Sequence, residues 1–95
     1  MFEEEAIVKN NLGLFARPAM FFIQKANEFK STIFIKFNEK MVNAKSLLGV
    51  LSLGVMKGQK IVISAEGIDD REAVSSLIRL IDSCFLEYET TDEDV

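Results

Sequence analysis

The sequence predicts an α+β fold, an open-faced β-sandwich in which helices cover one face of a four-stranded, mainly antiparallel sheet. The first observation is the order of periodic stretches along the chain: strand-like alternation and helix-like spacing follow one another as β-α-β-β-α-β-α. The second is size, since 95 residues with 48% hydrophobic content suit one domain. We expect this domain to span residues 1–86. The acidic stretch 87–95 is predicted to form a disordered tail.

The first predicted strand runs from Phe2 to Val8, and it is weakly amphipathic, since its two faces differ little in polarity. The turn residues Asn-Asn-Leu-Gly follow at 10–13. Pro18 then suits the first turn of a helix. The backbone N–H groups of that turn have no acceptor within the helix, so the N–H that proline lacks is not missed. Helical spacing of apolar residues predicts this helix, and its inner stripe comprises Ala19, Phe22, Ile23, Ala26 and Phe29.

A hairpin and a short helix form the middle of the chain. Alternation from Thr32 to Phe37 predicts a strand, which a tight turn at 38–39 connects to a second strand at 40–43. Ser46 is of a residue type favoured at the N-cap of helices. We therefore predict a helix over 47–55 that begins after Ser46 and ends near Gly54.

The last third of the chain predicts a strand followed by a long helix. The side chains of residues 60–66 alternate between two faces, as in a strand, and this pattern ends at Gly67. Asp69 and Glu72 have the spacing of an acidic capping pair for the helix that follows. Cys84 is expected inside this helix and in the core. The inner stripe of the helix is predicted to comprise Val74, Leu77, Ile78, Ile81 and Phe85.

The composition excludes several classes of function. The chain has no histidine and one cysteine, so an imidazole base, a phosphohistidine and an intramolecular disulfide are ruled out, and we expect neither a metal site nor a cofactor. A net charge of −4 disfavours direct binding to nucleic acid. The sequence shows neither a secretion signal nor an apolar run long enough for a membrane span. These features predict a cytoplasmic protein with no membrane partner.

The most informative segment is Gly13–Ala19, which combines a turn, an arginine and the start of a helix. Free N–H groups and the helix dipole attract anions at such a place, and the fork of Arg17 matches phosphate or carboxylate oxygens. The alternative is that Arg17 is an ordinary surface arginine.

This segment resembles the active-centre loop of HPr, the histidine-containing phosphocarrier of the bacterial sugar phosphotransferase system. Residues 43–54, Asn-Ala-Lys-Ser-Leu-Leu-Gly-Val-Leu-Ser-Leu-Gly, resemble the regulatory-serine segment of the same family. The resemblance covers Phe2 to Phe85 and implies an open-faced β-sandwich of the HPr type with three helices on one face. The chain is most similar to the catabolite-repression HPr-like proteins, in which the active histidine is also missing.

Phe15 corresponds to the phosphorylated histidine of the family. A phenyl ring has no lone pair with which to attack phosphorus, so we expect carrier activity to be absent and the protein not to be an enzyme. Phe15 is then either a core residue or, as its position just before a helix favours, an exposed contact for a partner.

Ser46 has two compatible interpretations. As a helix cap it contributes about 1 kcal/mol. The resemblance implies in addition that HPr kinase/phosphorylase phosphorylates it, which would place negative charge at a helix N-terminus with Lys45 adjacent.

The resemblance also implies a docking surface for proteins. The anion or partner-binding residues would be Phe15, Arg17, Met20, Lys45, Leu47, Leu48 and Leu51. The implied partner is a LacI-type catabolite control transcription factor, so that the protein would act on DNA only through this partner. The alternatives are that the leucines are simply buried, that the protein is a non-catalytic docking subunit of another enzyme, or that it is a phosphocarrier in which another residue accepts phosphate.

Overall fold

A computed structural model describes residues 1–85 and contains the helices and strands in the predicted order. Their bounds in this part of the chain are β1 Phe2–Ile7, α1 Ala16–Ala26, β2 Thr32–Phe37, β3 Lys40–Asn43, α2 Leu47–Leu53, β4 Lys60–Glu66 and α3 Asp70–Asp82. None of the helices within residues 1–85 combines the length and the apolar character needed to cross a membrane. The expected boundary at residue 86 and the predicted tail 87–95 lie outside the described residues.

Within residues 1–85 the strands form one four-stranded sheet in the order β1-β4-β2-β3, and all neighbouring strands are antiparallel. β4 lies in the interior of the sheet, because Ala65 pairs with Phe2 of β1 on one side and with Ile33 of β2 on the other. β1 is an edge strand and carries three consecutive glutamates, at positions 3–5.

The apolar core lies between one face of this sheet and the helices. Alternate residues of the two inner strands are buried: Ile33, Ile35, Ile61, Ile63 and Ala65. The helices contribute buried side chains that include Phe22, Val50, Leu77 and Ile81. The residues between the buried ones, Phe34, Val62 and Ser64, are only partly buried, and Lys36 and Lys60, which flank the buried runs, are exposed. This one-sided burial confirms the open-faced sandwich that the sequence predicts.

Helices α1 and α2 pack against each other and run in opposite directions. The backbone N–H of Leu14, just before α1, donates to the carbonyl of Val55, just after α2, at 3.0 Å. At the other end, Lys45 Nζ donates to the carbonyl oxygen of Phe29 at 2.7 Å. The start of α1 therefore lies beside the end of α2, and the end of α1 beside the start of α2.

Helix α2 is shorter than predicted, because it ends at Leu53 rather than at Val55. Gly54 has a left-handed backbone with φ of +68°, and its N–H donates to the carbonyl of Leu51. A residue in this conformation cannot continue a right-handed helix. The glycine itself is thus the stop.

The predicted capping pair at the start of α3 is wrong. Asp69 occupies the N-cap position, but within residues 1–85 its side chain forms no hydrogen bond to the first turn of α3. Its carboxylate instead accepts hydrogen bonds from the Ser31 hydroxyl and from the backbone N–H groups of Lys30 and Ser31, the latter two at 2.9 Å. The hydroxyl of Ser31, followed by the N–H of Lys30, lowers the pKa of Asp69 below its ordinary value.

The prediction that Cys84 lies inside the last helix is also wrong. Helix α3 ends at Asp82, and Cys84 and Phe85 follow in a turn with φ of +57° and +62°. The N–H of Phe85 donates to the carbonyl of Leu80, which closes this turn. Phe85 is buried as expected, whereas Cys84 is only partly buried.

Candidate functional site

The loop before α1 is organised by Asn10. Its Nδ2 donates to the carbonyl of Gly13 at 2.9 Å, and the N–H of Gly13 donates to the carbonyl of Asn10 at 3.2 Å. Gly13 has φ of +70°, and a Cβ at this position would collide with the carbonyl oxygen of Val55. The sequence predicts a turn here but not this role of Asn10. The signal that could have revealed it is the tendency of asparagine side chains to form hydrogen bonds with nearby backbone groups in turns.

Phe15 is the N-cap residue of α1 and has an extended backbone, with φ of −132° and ψ of 164°. Its side chain is partly buried. Among residues 1–85, the buried core cluster and the side chains packed on it do not include Phe15. The next residue, Ala16, has φ of +51°, a conformation that costs about 1 to 2 kcal/mol for an L-residue with a Cβ. The chain therefore turns sharply into α1 with the phenyl ring at its entrance.

Arg17 lies exposed in the first turn of α1, followed by the buried Pro18. The N-terminus of a helix carries a positive partial charge, to which the guanidinium adds its own. Both features favour the binding of an anion at this end of α1.

Ser46 caps α2 as predicted, because its Oγ accepts a hydrogen bond from the N–H of Gly49 at 3.1 Å. The residue is partly exposed. Gly49 leaves room for the hydroxyl, since a Cβ on Gly49 would lie 3.3 Å from Ser46 Oγ. The neighbouring Lys45 is directed elsewhere: its ammonium donates to the carbonyl of Phe29, and it must leave this bond in order to reach an anion at Ser46.

The apolar residues of the expected docking surface differ in exposure. Leu48 is 80% exposed and Met20 is 46% exposed. Leu47 and Leu51 are partly buried and pack against the core cluster. Leu48 and Met20 are thus available to a partner, whereas Leu47 and Leu51 also stabilise the fold.

The antiparallel packing of α1 and α2 separates Arg17 from Ser46. Phe15 and Arg17 lie at the start of α1, beside the end of α2, whereas Ser46 lies at the start of α2. The seven residues of α2 correspond to a separation of about 10 Å along this helix. We refer to the side chains of Phe15, Arg17, Met20, Ser46 and Leu48 as the two-helix surface.

Comparison with known proteins gives a consistent result in sequence and in fold. A family model described as the PTS HPr component phosphorylation site matches residues 2–83. The HPr-like protein Crh of Halalkalibacterium halodurans is 46% identical over 82 residues, which are 86% of this chain and 98% of that protein.

Two solved structures are similar to this fold. The crystal structure of HPr-C-His from Thermoanaerobacter tengcongensis has a TM-score of 0.88 at 47% identity and covers 90% of this chain and 96% of its own. The catabolite repression protein Crh of Bacillus subtilis, crystallised as a dimer with a swapped domain, has a TM-score of 0.71 at 38% identity and covers 88% of this chain and 97% of its own. The matches extend over nearly all described residues and include both HPr and Crh proteins. The chain therefore belongs to the HPr family of the phosphotransferase system.

Proposed function

We propose that this HPr-family member is a regulatory binding protein of carbon catabolite control, switched by phosphorylation of Ser46 and without phosphocarrier activity. One observation carries the proposal. Phe15 lies at the entrance of α1, where the family resemblance places the phosphorylated histidine, and the whole chain contains no histidine.

Carrier chemistry needs a nucleophile at this loop. Residues 10–18 read Asn-Asn-Leu-Gly-Leu-Phe-Ala-Arg-Pro, and none of these side chains has a lone pair that attacks phosphorus readily. The similarity to HPr from Thermoanaerobacter tengcongensis supports the alternative of a phosphocarrier, but that alternative requires an acceptor elsewhere in the chain.

Ser46 suits a switch because its hydroxyl is partly exposed at the N-terminus of α2. A phosphate adds nearly two negative charges at neutral pH, and the helix dipole favours negative charge at this end. Phosphorylation by HPr kinase/phosphorylase would then change the surface charge while leaving the domain folded.

The partner of the phosphorylated protein would be a LacI-type catabolite control transcription factor. It would contact the phosphate at one end of the two-helix surface and Phe15 and Arg17 at the other. The exposed side chains of Leu48 and Met20 would supply apolar contact. The name of the Bacillus subtilis relative, a catabolite repression protein, supports this assignment of pathway.

The first experiment measures where phosphate is added. The full-length protein is incubated with HPr kinase/phosphorylase and ATP, and the product is analysed by intact mass and peptide mapping. We expect one phosphate, at Ser46, that Ser46→Ala abolishes. Ser52→Ala is the matched control, because Ser52 is an exposed serine of the same helix whose hydroxyl donates to the carbonyl of Gly49 at 2.6 Å. Phosphate on Thr90 or Thr91 instead would contradict the switch.

The second experiment separates binding from carrier activity. Calorimetry with a LacI-type catabolite regulator should show tighter binding of the phosphorylated protein, with an affinity that falls as salt is added. Phosphoenolpyruvate and the first enzyme of the phosphotransferase system should leave the protein unlabelled. Stoichiometric acid-labile phosphate would overturn the proposal in favour of a phosphocarrier.

A further inference from the structure

The charges of this chain are distributed unevenly along its sequence. All eleven basic side chains lie within residues 1–85, which also contain ten acidic ones, whereas residues 86–95 contain five acidic side chains and no basic one. The net charge of −4 therefore comes from the acidic tail 87–95, and the rest of the chain is close to neutral. The carboxylates of the tail have no opposite charge within the tail itself.

Two long segments of the folded domain contain cations but no acidic side chain. The first is 6–27, which includes the loop before α1 and α1 itself, and the second is 40–65, which includes β3 and α2. The first segment has three basic residues and the second has four. A surface built from both segments therefore has no negative side chain of its own.

The two segments meet where the loop before α1 lies against the residues that follow α2. A Cβ on Gly13 would lie only 2.8 Å from the Cα of Met56. Lys57 Nζ donates a hydrogen bond to Oδ1 of Asn11 at 3.1 Å. The loop before α1 and residues 55–57 therefore form one continuous surface.

This surface presents both apolar and positively charged groups to solvent. Leu12 is 59% exposed and Met56 is 62% exposed. Arg17 and Lys57 are exposed as well. Lys57 forms no ion pair within residues 1–85, and its partner Asn11 is neutral, so this hydrogen bond leaves its charge uncompensated. We refer to the side chains of Leu12, Arg17, Met56 and Lys57 as the basic loop surface.

The acidic tail leaves the domain beside the basic loop surface. The last described residue, Phe85, is buried in the turn that follows α3. Its neighbour in this turn, Cys84, lines a cleft together with Asn11, Leu12 and Pro18. The chain therefore enters the tail next to the loop before α1 and next to the first turn of that helix.

The first carboxylates of the tail are close to this exit along the chain. Glu87 and Glu89 are two and four residues beyond Phe85. An extended chain places them up to about 7 and about 14 Å from that residue. Lys57 is bonded to Asn11, which lines the cleft at the exit, so its ammonium is within reach of both carboxylates.

We propose that the acidic tail 87–95 docks on the basic loop surface of its own chain. Its carboxylates would pair with the two cations of that surface, and Tyr88 would lie on the two exposed apolar side chains. Opposite charges attract each other at these distances, and complementary charges hold the segment in place. The apolar contact adds the free energy of removing exposed side chains from water.

Docking would have a consequence for the two-helix surface, because the docked tail would cover Arg17. This residue also belongs to the surface that the proposed partner contacts, so the tail and the partner would compete for it. The competition rests on the proposed function, whereas docking does not, since docking involves this chain alone.

The test compares the full chain with a variant that has an uncharged tail. In this variant amides replace five acids: Glu87→Gln, Glu89→Gln, Asp92→Asn, Glu93→Gln and Asp94→Asn. Backbone amide shifts of both proteins are measured by ¹H–¹⁵N NMR at about 0.01 M and about 1 M salt, where the Debye length is about 30 and about 3 Å. At low salt we expect the two proteins to differ at Leu12, Met56 and Lys57, and at high salt we expect most of this difference to be lost.

Lys30 provides the matched control position. It is an exposed lysine, and its N–H donates to Asp69, which precedes α3. The length of α3, about 20 Å for thirteen residues, therefore separates it from the exit of the tail. We expect the low-salt shift difference at Lys57 to be at least about threefold larger than the difference at Lys30.

Charge variants of the domain test the same contact from the other side. Lys57→Gln should shift the amide signals of Glu87 and Glu89 at low salt at least about threefold more than Lys30→Gln does. Three results would each overturn the proposal. They are an unchanged spectrum of the basic loop surface in the variant with the uncharged tail, equal effects of the two lysine variants, and shifts that grow with protein concentration, which would place the tail on a second copy.

Discussion

Leu48 offers a quantitative test of the two-helix surface. Full burial of a leucine side chain stabilises a complex by about 1.5 to 3 kcal/mol. Because Leu48 is 80% exposed in the free protein, most of this free energy is available for binding. Leu48→Ala should therefore weaken the complex with the catabolite regulator by about 1 to 2 kcal/mol, or about 5- to 30-fold in Kd. The free energy of unfolding of the free protein should change by no more than about 0.5 kcal/mol.

The assay is calorimetric titration of the protein phosphorylated at Ser46, combined with urea unfolding of each free variant. Ile68→Ala is the matched control, since Ile68 is 88% exposed but lies in the turn between β4 and α3, outside the two-helix surface. It should change neither Kd nor stability. Leu51→Ala should behave in the opposite way to Leu48→Ala and lower stability, because Leu51 already packs against the core.

Two results would refute this reasoning. If Leu48→Ala binds as tightly as the original protein, the partner does not cover Leu48 and the surface is wrongly placed. If Ile68→Ala weakens binding to the same extent, the effect is a general loss of apolar surface rather than a specific contact.

Three further predictions concern single positions. Phe15→His should acquire acid-labile phosphate from phosphoenolpyruvate and the first enzyme, because Phe15 lies at the entrance of α1; an unlabelled variant would show that the loop itself no longer supports transfer. Gly49→Ala should slow phosphorylation of Ser46 several-fold in a mass-spectrometric rate assay, since the added Cβ lies 3.3 Å from the hydroxyl, and an unchanged rate would argue against crowding. The pKa of Asp69 is lowered in the folded state by the Ser31 hydroxyl, so its stabilising contribution is present above the unfolded pKa and is lost as the pH falls below about 4. Asp69→Asn should flatten that part of a plot of unfolding midpoint against pH, and an unchanged slope would refute the assignment.

Elements that depend on local pattern could be predicted from the sequence. The alternation over 60–66 gave the bounds of β4, and the hydroxyl of Ser46 caps α2 as its residue type indicated. Both signals depend only on residues a few positions apart, so they can be recognised in the sequence before the tertiary fold is known.

Features that depend on distant partners could not be predicted. Asp69 has the residue type of a cap, but its carboxylate accepts hydrogen bonds from Lys30 and Ser31, which are remote in sequence, instead of from the first turn of the helix. In the same way, the bond between Lys45 and Phe29 exists only because α1 and α2 run in opposite directions. The separation of Arg17 from Ser46 follows from this packing, which no local pattern contains.

The edge position of β1 has a consequence for synthesis. Phe2 pairs with Ala65, so the first strand to be made has no partner until β4 has been added. At translation rates of about 5 to 20 residues per second, this strand remains unpaired for roughly 3 to 13 seconds. An unpaired strand can bind the edges of other nascent chains, and acidic side chains oppose such pairing. The charges of Glu3, Glu4 and Glu5 therefore disfavour pairing with other chains during the interval in which the sheet of this chain cannot close.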